Sequence, residues 1–327
     1  MRTMNQVGND LYTGKTSVPF VAKRKLWFLI AIVLVVFSAL APFLRGVQFS
    51  IEFTGGSQIT VSQPASLDQS IATDTVRQIA PQAESAVTVV GGSDIRVQTS
   101  QLTPELTRQL SAGLADAYQV PIDEVTDSFI GPSWGKDVTN QSLWGLLIFL
   151  GLTFLILAIY FRTWKMSLAA IIGLVDVLII TLGIYSLAGF QISPSAVIGF
   201  LTILAYSLYD TTVVFDKIRE NTTDERSGRT FGESVNLAVN QTLIRSINTS
   251  VVAALPVGAI LFIAVFGFGA ETLSDISLSI FVGILVATYS TLFVAAPLYS
   301  FLREREPQIA QEDARILEAR AAAATSV

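Results

Sequence analysis

Six membrane-spanning helices, with one small α+β domain inserted between the first and second, are what this 327-residue chain predicts, and three features carry the prediction. Hydrophobic residues make up 51% of the sequence and charged residues only 14%, against roughly 25% charged in soluble domains. The mean hydropathy is +0.56, and apolar runs of about 20 residues recur, long enough to cross a bilayer core. Between the first two runs lies the one long polar stretch, where the periodicity turns strand-like. The chain has no Cys and no His. Disulfides and thiolate metal sites are therefore excluded, and proton chemistry near neutral pH must use carboxylates. A net charge of −5 with a pI near 4.9 argues against a nucleic-acid partner, which needs a basic surface.

Residues 1–25 are polar, contain Gly8, Gly14 and Pro19, and read as a loosely ordered cytoplasmic tail. Lys23-Arg24-Lys25 precedes the first span, residues 26–44, and places its start in the cytoplasm by the positive-inside rule. Ala39-Leu40-Ala41 resembles a signal cleavage site. The apolar run nevertheless exceeds the core of about 7–15 residues usual in signal peptides, and five more spans follow, so an uncleaved helix is expected.

Residues 45–139 form the extracytoplasmic domain. Val47, Phe49, Ile51 and Phe53 alternate with polar residues as a half-buried strand does. Gly55-Gly56 offers a hairpin turn into a second strand over 57–62. Ser66 with Gln69 makes a capping box for a helix running to Ala80. Two strands, Val87 to Val90 and Ile95 to Thr99, join through Gly91-Gly92. Thr103-Pro104 is an N-cap with a first-turn proline, and Leu106, Leu110, Leu114 and Ala117 line one face of the helix that follows. Val125 to Ile130 is the last strand. After the opening strand the order is β-α-β-β-α-β, the ferredoxin-like pattern. The stretch carries no acid-base pair, metal cluster or phosphate loop, so a binding or mechanical role is expected of it.

Gly131-Pro132-Ser133-Trp134-Gly135-Lys136 reads as the turn back into the membrane, since its glycines and proline do not sustain a regular element. The remaining spans occupy about 142–161, 166–188, 194–215, 243–266 and 275–299 of the segment 140–301. Arg162 with Lys165, Arg226 with Arg229, and Arg303 with Arg305 put one set of loops, 216–242 and the tail 302–327 in the cytoplasm. Loops 189–193 and 267–274 lack Lys and Arg and belong outside. Phe231, Val235, Ala238 and Val239 suggest a short amphipathic helix lying on the inner surface or packed against the bundle ends.

Asp210 stands inside the fourth span among Tyr206, Ser207, Tyr209, Thr211 and Thr212. An acid at membrane depth costs about 2.5–3.5 kcal/mol on insertion scales and is tolerated facing protein or a water-filled cavity. Asp176 lies about 15 Å into the third span and Asp210 about 24 Å into the fourth, at 1.5 Å per residue. Arg245 opens the fifth span at a depth matching Asp210, followed by Ser246, Asn248, Thr249 and Ser250. A proton arriving on Asp210 would break an Asp210–Arg245 pair. A hydrogen-bonded knot that merely glues helices together is the other reading. No nucleophile-base constellation or metal-ligand spacing appears, so neither an enzyme nor a bound cofactor is expected.

Four motifs together resemble the SecF members of the SecD/SecF protein-export family, part of the resistance-nodulation-division superfamily. They are Phe53-Thr-Gly55-Gly56; Gly131-Pro132-Ser133 with Gly135 and Lys136; Tyr206 to Thr211 continuing to Asp216-Lys217-Ile-Arg219-Glu220-Asn221; and Arg245 to Ser250. Departures are Ser50-Ile-Glu52-Phe53 for the usual Gly-Ile-Asp-Phe, Lys217 for an Arg, and Val175 for a His. The resemblance implies a subunit of the bacterial cytoplasmic membrane that partners SecD beside the SecYEG channel, with YajC and YidC as further neighbours and a translocating preprotein as cargo. It implies a proton as coupling ion, Asp210 and Arg245 as the coupled pair, Asp176 as a family position that is either a further proton-linked acid or a structural bond, and an external domain that tilts through Gly131 to Gly135. Two alternatives have different chemistry: a proton-independent scaffold of the Sec complex, and half of a small-molecule or lipid exporter.

Overall fold

The computed structural model describes residues 4–46, 48–90, 93–223, 226, 228–264 and 271–325. Helix α1 (Met4–Tyr12) and the strap after it lie against the ends of the bundle. Two asparagines pin the strap: Val18 N donates to Asn240 Oδ1 at 2.7 Å and Val21 N to Asn236 Oδ1 at 3.1 Å. Phe20 and Val21 bury themselves among Phe215, Ile218, Phe231 and Tyr299. The expected loose tail is thus ordered, because side-chain amides far along the chain satisfy its backbone.

Helix α2 (Arg24–Arg45) is the first span. The expected strand after it is replaced by a two-residue β1 (Gln48–Phe49) and a helical turn α3 (Ile51–Thr54). Gly55, at φ +72°, ends α3, and Gly56, at φ +130°, begins β2 (Gly56–Val61), so the glycine pair is a helix-to-strand corner. The next helix, α4 (Gln69–Ile79), is capped by Asp68, which accepts from Ser70 N at 2.9 Å. Ser66 instead accepts from Asp68 N, and the Asp68 carboxylate, immediately before the helix, reaches the exposed first-turn amide directly. β3 (Ser85–Val90) and β4 (Asp94–Thr99) pair antiparallel, while the Gly91-Gly92 turn lies outside the described residues. Thr103 caps α5 (Pro104–Tyr118) by accepting from Leu106 N at 3.3 Å, with Pro104 in the first turn. Leu110, Leu114, Ala115 and Tyr118 are buried, whereas Ala117 is exposed. β5 (Val125–Ile130) completes a four-stranded antiparallel sheet of order β3-β4-β2-β5. Ile59, Val61, Ile95 and Val97 meet Ala72, Val76, Leu110 and Leu114 across it.

Gly131-Pro132-Ser133-Trp134-Gly135-Lys136 does not form a loose turn. It opens α6 (Pro132–Phe161), with Pro132 in the first turn, where its missing N–H costs nothing. α7 (Trp164–Ala188), β6 (Gln191–Ile192) and α8 (Pro194–Thr223) follow. β6 pairs in parallel with β1, Gln48 opposite Gln191. The segment 231–239 is not a separate surface helix: α9 (Phe231–Ile263) runs unbroken from a capping box between Thr230 and Glu233. No breaker stands between the amphipathic turns and the fifth span, and Phe231, Val235, Ala238 and Val239 pack into the bundle. The sixth span joins α10 (Glu271–Ser290), a π-helical turn (Thr291–Ala295) and α11 (Ala296–Arg303). Residues 265–270, the last two of the expected fifth span and the first four of the expected 267–274 loop, lie outside the described residues, and the rest of that loop is the start of α10.

Six helices are thus long and apolar enough to cross a membrane. α7 and the sixth span form the interior, while α2, α6 and α9 turn Leu29, Phe37, Ile148, Ile156, Val252 and Leu255 outward. α12 (Pro307–Thr325) folds back under the bundle. Arg226 pairs with Glu312 and Asp313, and Arg320 with Glu233 at 2.7 Å. Glu306 bridges Lys165 at 2.9 Å and Arg303 at 2.7 Å.

Two predictions follow from these contacts. The Tyr118 hydroxyl donates to Asp68 O at 2.7 Å and accepts from Ala72 N at 3.2 Å. Tyr118→Phe strands both groups, at about 1–3 kcal/mol, and hydrogen exchange should show α4 losing protection before the sheet does. Burial opposes the charge of Glu306, but Lys165 and Arg303 outweigh it and hold its carboxyl below the usual glutamate value. A depressed folded-state value stabilises the fold above the unfolded value and loses that contribution as pH falls through the folded one. Protection of α12 amides, relative to their intrinsic exchange at each pH, should therefore fall as pH drops below the usual glutamate value, and Glu306→Gln should remove that acid-sensitive component.

Candidate functional site within the bundle

Asp210 and Asp176 are 6% and 5% exposed, on α8 and α7. Ser246 of α9 donates to Asp210 Oδ1 at 2.8 Å, and Asp210 Oδ2 is buried with no partner among the described residues. Next to the acid, the hydroxyls of Thr211 and Thr291 are 2.9 Å apart. One turn from Ser246, Ser250 meets Thr288 at 2.5 Å. The Tyr206 hydroxyl lies beside Ser250 and Asp210. Ser290, beside Asp176, donates to Gly173 O at 3.0 Å. The two acid-bearing helices therefore both bond the sixth span at the start of its π-helical turn, α7 through Ser290 and α8 through Thr291, where an extra residue per turn re-aims successive side chains.

Arg245 does not contact Asp210 directly: no ion pair within 4.0 Å joins them, although its charge reaches the acid. The reason is helical phase. Ser246 and Ser250, four apart, share the face toward Asp210, whereas Arg245 and Asn248 share an exposed face. Thr249 uses its hydroxyl on Arg245 O at 2.8 Å, and Ser207 is buried in α8. Equal depth on consecutive helices was legible in the sequence, but it left the facing side open. Ser246 was visible as one of several hydroxyls; the partners on the sixth span were missed. Thr288-Tyr289-Ser290-Thr291, four hydroxyl residues in a row inside an apolar run, was the signal available.

The remaining signature residues serve the bundle end. Tyr160 donates to Asp216 at 3.1 Å, Lys217 binds Glu220 at 2.6 Å, and Asn221 donates to Gln241 at 2.9 Å. Arg219 is exposed. At the other end the glycines are places of close approach. A Cβ on Gly135 would stand 2.6 Å from Phe53 O, and one on Gly55 2.9 Å from the Cα of Pro132. Gly131 is the N-cap of α6.

Six apolar helices enclosing two acids, with a small α/β unit at one end, define a multi-pass membrane protein. Residues 111–305 match the family described as protein export membrane protein SecD/SecF, C-terminal, and residues 41–62 match the SecD/SecF GG motif. The chain is 40% identical over 324 residues to the protein translocase subunit SecF of Streptomyces coelicolor, covering 98% of this chain and 86% of that one. It is 37% identical to that of Mycobacterium tuberculosis, covering 95% and 72%. The crystal structure of SecDF from Thermus thermophilus, a translocon-associated membrane protein, superposes with a TM-score of 0.78 at 30% identity. That match covers 89% of this chain, which spans 39% of the SecDF chain's length. The chain belongs to the SecD/SecF family of protein-export membrane proteins.

Removing the Asp210 donor with Ser246→Ala should destabilise the bundle by about 1.5–3 kcal/mol, the worth of a hydrogen bond to a charged group. Ser246→Thr should restore it, as read by thermal unfolding in detergent.

Proposed function

We propose that this chain acts as a SecF-like accessory subunit of the Sec translocation complex, using the proton motive force with SecD to assist late steps of preprotein export across the bacterial cytoplasmic membrane. The observation that carries the reading is Asp210, buried in the bundle with one carboxylate oxygen held by Ser246 and the other unpartnered among the described residues. Hydroxyls of three helices surround it, a setting suited to a group that gains and loses a proton. A proton crossing 100 mV yields about 2.3 kcal/mol, enough to bias a two-state element more than tenfold. Loading Asp210 weakens its hold on Ser246 and frees α8 to shift against α9.

In this reading the β-α-β-β-α-β unit is a ferredoxin-like domain outside the membrane, supported by its sheet order. Both termini are cytoplasmic, since Lys23, Arg24, Lys25, Arg162, Lys165, Arg303 and Arg305 gather at the end opposite that domain. The exposed Arg245 and Asn248 favour a partner over lipid on that face of α9, because a charge facing hydrocarbon is costly. SecD is the partner proposed there, with SecYEG, and YajC and YidC as further neighbours.

The test is completion of preprotein export in membrane vesicles after ATP removal, with and without a proton gradient. Asp210→Asn, at equal complex levels, should abolish the gradient-dependent part. Completion indifferent to both the gradient and the substitution would instead favour the proton-independent scaffold.

A further inference from the structure

The face of the sheet turned away from α4 and α5 closes against the link between α7 and α8 through polar side chains. Arg96 of β4, 4% exposed, donates from Nη1 to Gln191 Oε1 at 2.8 Å. Gln191 Nε2 donates to Gln98 Oε1 at 2.7 Å. Gln98 Nε2 in turn reaches Gln58 Oε1 at 3.1 Å and Gln191 Oε1 at 3.3 Å. Two residues further on, the Ser193 hydroxyl accepts from Ala196 N at 3.1 Å in the first turn of α8 and donates to Asp275 Oδ2 at 2.5 Å. The residues gripped by β4 therefore lead directly into the helix that carries Asp210.

The junction has two unlike halves. On the α6 side backbone lies on backbone, Gly135 against Phe53 and Gly55 against Pro132, and close packing of that kind has no slack. On the β4 side the contacts are amides and a guanidinium, groups that exchange a protein partner for water at small net cost. Backbone pairing between the link and the chain's domain side is short: the two-residue β1–β6 ladder, with Ser50 N donating to Ile192 O at 3.1 Å beside it. One half is built to stay closed and the other to release.

We propose that Gln191 is a positioning residue for coupling, the keeper of a latch that joins the sheet to the start of α8 and opens when α8 shifts, while the α3–α6 contact serves as the pivot. The inference rests on the proton-coupled reading of Asp210. Because the chain has no native Cys, Gln98→Cys with Gln191→Cys places a single thiol pair across the latch. A short bis-methanethiosulfonate bridge then holds it closed, and a thiol reductant removes the bridge. In the vesicle assay, bridging should lower gradient-dependent completion about tenfold, within the usual range of coupling between sites, and reduction should restore it. The same treatment of Ser85→Cys with Thr99→Cys, a cross-strand pair within the sheet, should change nothing. Full gradient-dependent completion with the latch bridged overturns the latch. Loss of gradient dependence in the unmodified chain overturns the proton-coupled reading instead. Gln191→Cys alone gives a second measurement: maleimide labelling should rise about threefold when the gradient is imposed, a modest population shift, and Asp210→Asn should cancel the rise. Labelling indifferent to the gradient overturns the latch without recourse to the double variant.

Discussion

A carboxylate inside a helical bundle has few places to find hydrogen bonds, because the backbone around it is already spent on the helices. Asp210 meets this constraint with side chains alone. Ser246 holds one oxygen, and the hydroxyls of Thr211, Thr291, Ser250 and Thr288 bond one another close by. The arrangement requires α8, α9 and the sixth span to meet along one line, and it places the π-helical turn Thr291–Ala295 where both acid-bearing helices are contacted. Packing in a membrane gains little from apolar burial between helices, so these polar contacts and the small residues beside them decide which faces turn inward. Arg245, one residue from Ser246, falls outside for that reason.

At the end bearing the sheet, the same chain uses two kinds of contact for one junction. Glycines let α6 and the α3 corner touch at backbone distance, while Arg96, Gln98 and Gln191 join the other side through exchangeable polar groups. At the opposite end, α1, its strap and α12 tie the helix ends together with Asn236, Asn240, Arg226 and Arg320. Polar contacts thus hold α8 at both ends and α9 at the end that carries Asn236 and Asn240, and hydroxyls join the two helices in the middle.

Much of the architecture was legible in the residues. The six apolar runs, the order of strands and helices in the domain, the Thr103-Pro104 cap and the anomalous Asp210 all follow from local pattern. Errors gathered where a local signal had two structural answers. Ser66 with Gln69 matched a capping box, but the carboxylate of Asp68, next to the helix, took the cap. A proline that reads as a breaker within a helix is harmless at its first turn, so Gly131 to Lys136 became the start of α6. Phe231 to Val239 had the amphipathicity of a surface helix, but with no breaker behind it the fifth span absorbed it.

Six runs able to cross a membrane, the acids that are anomalous within them and the lack of His and Cys chemistry can all be read along the chain. Those are properties of composition and of runs, which need no knowledge of neighbours. Packing settles that Ser246 rather than Arg245 bonds Asp210, that the sixth span brings Ser290 and Thr291 to the two acid-bearing helices, and that Gln191 meets Arg96 and Gln98. Each depends on the rotation of one helix or strand against another distant in sequence. Depth along a helix follows from counting residues, but the face that is presented follows from packing.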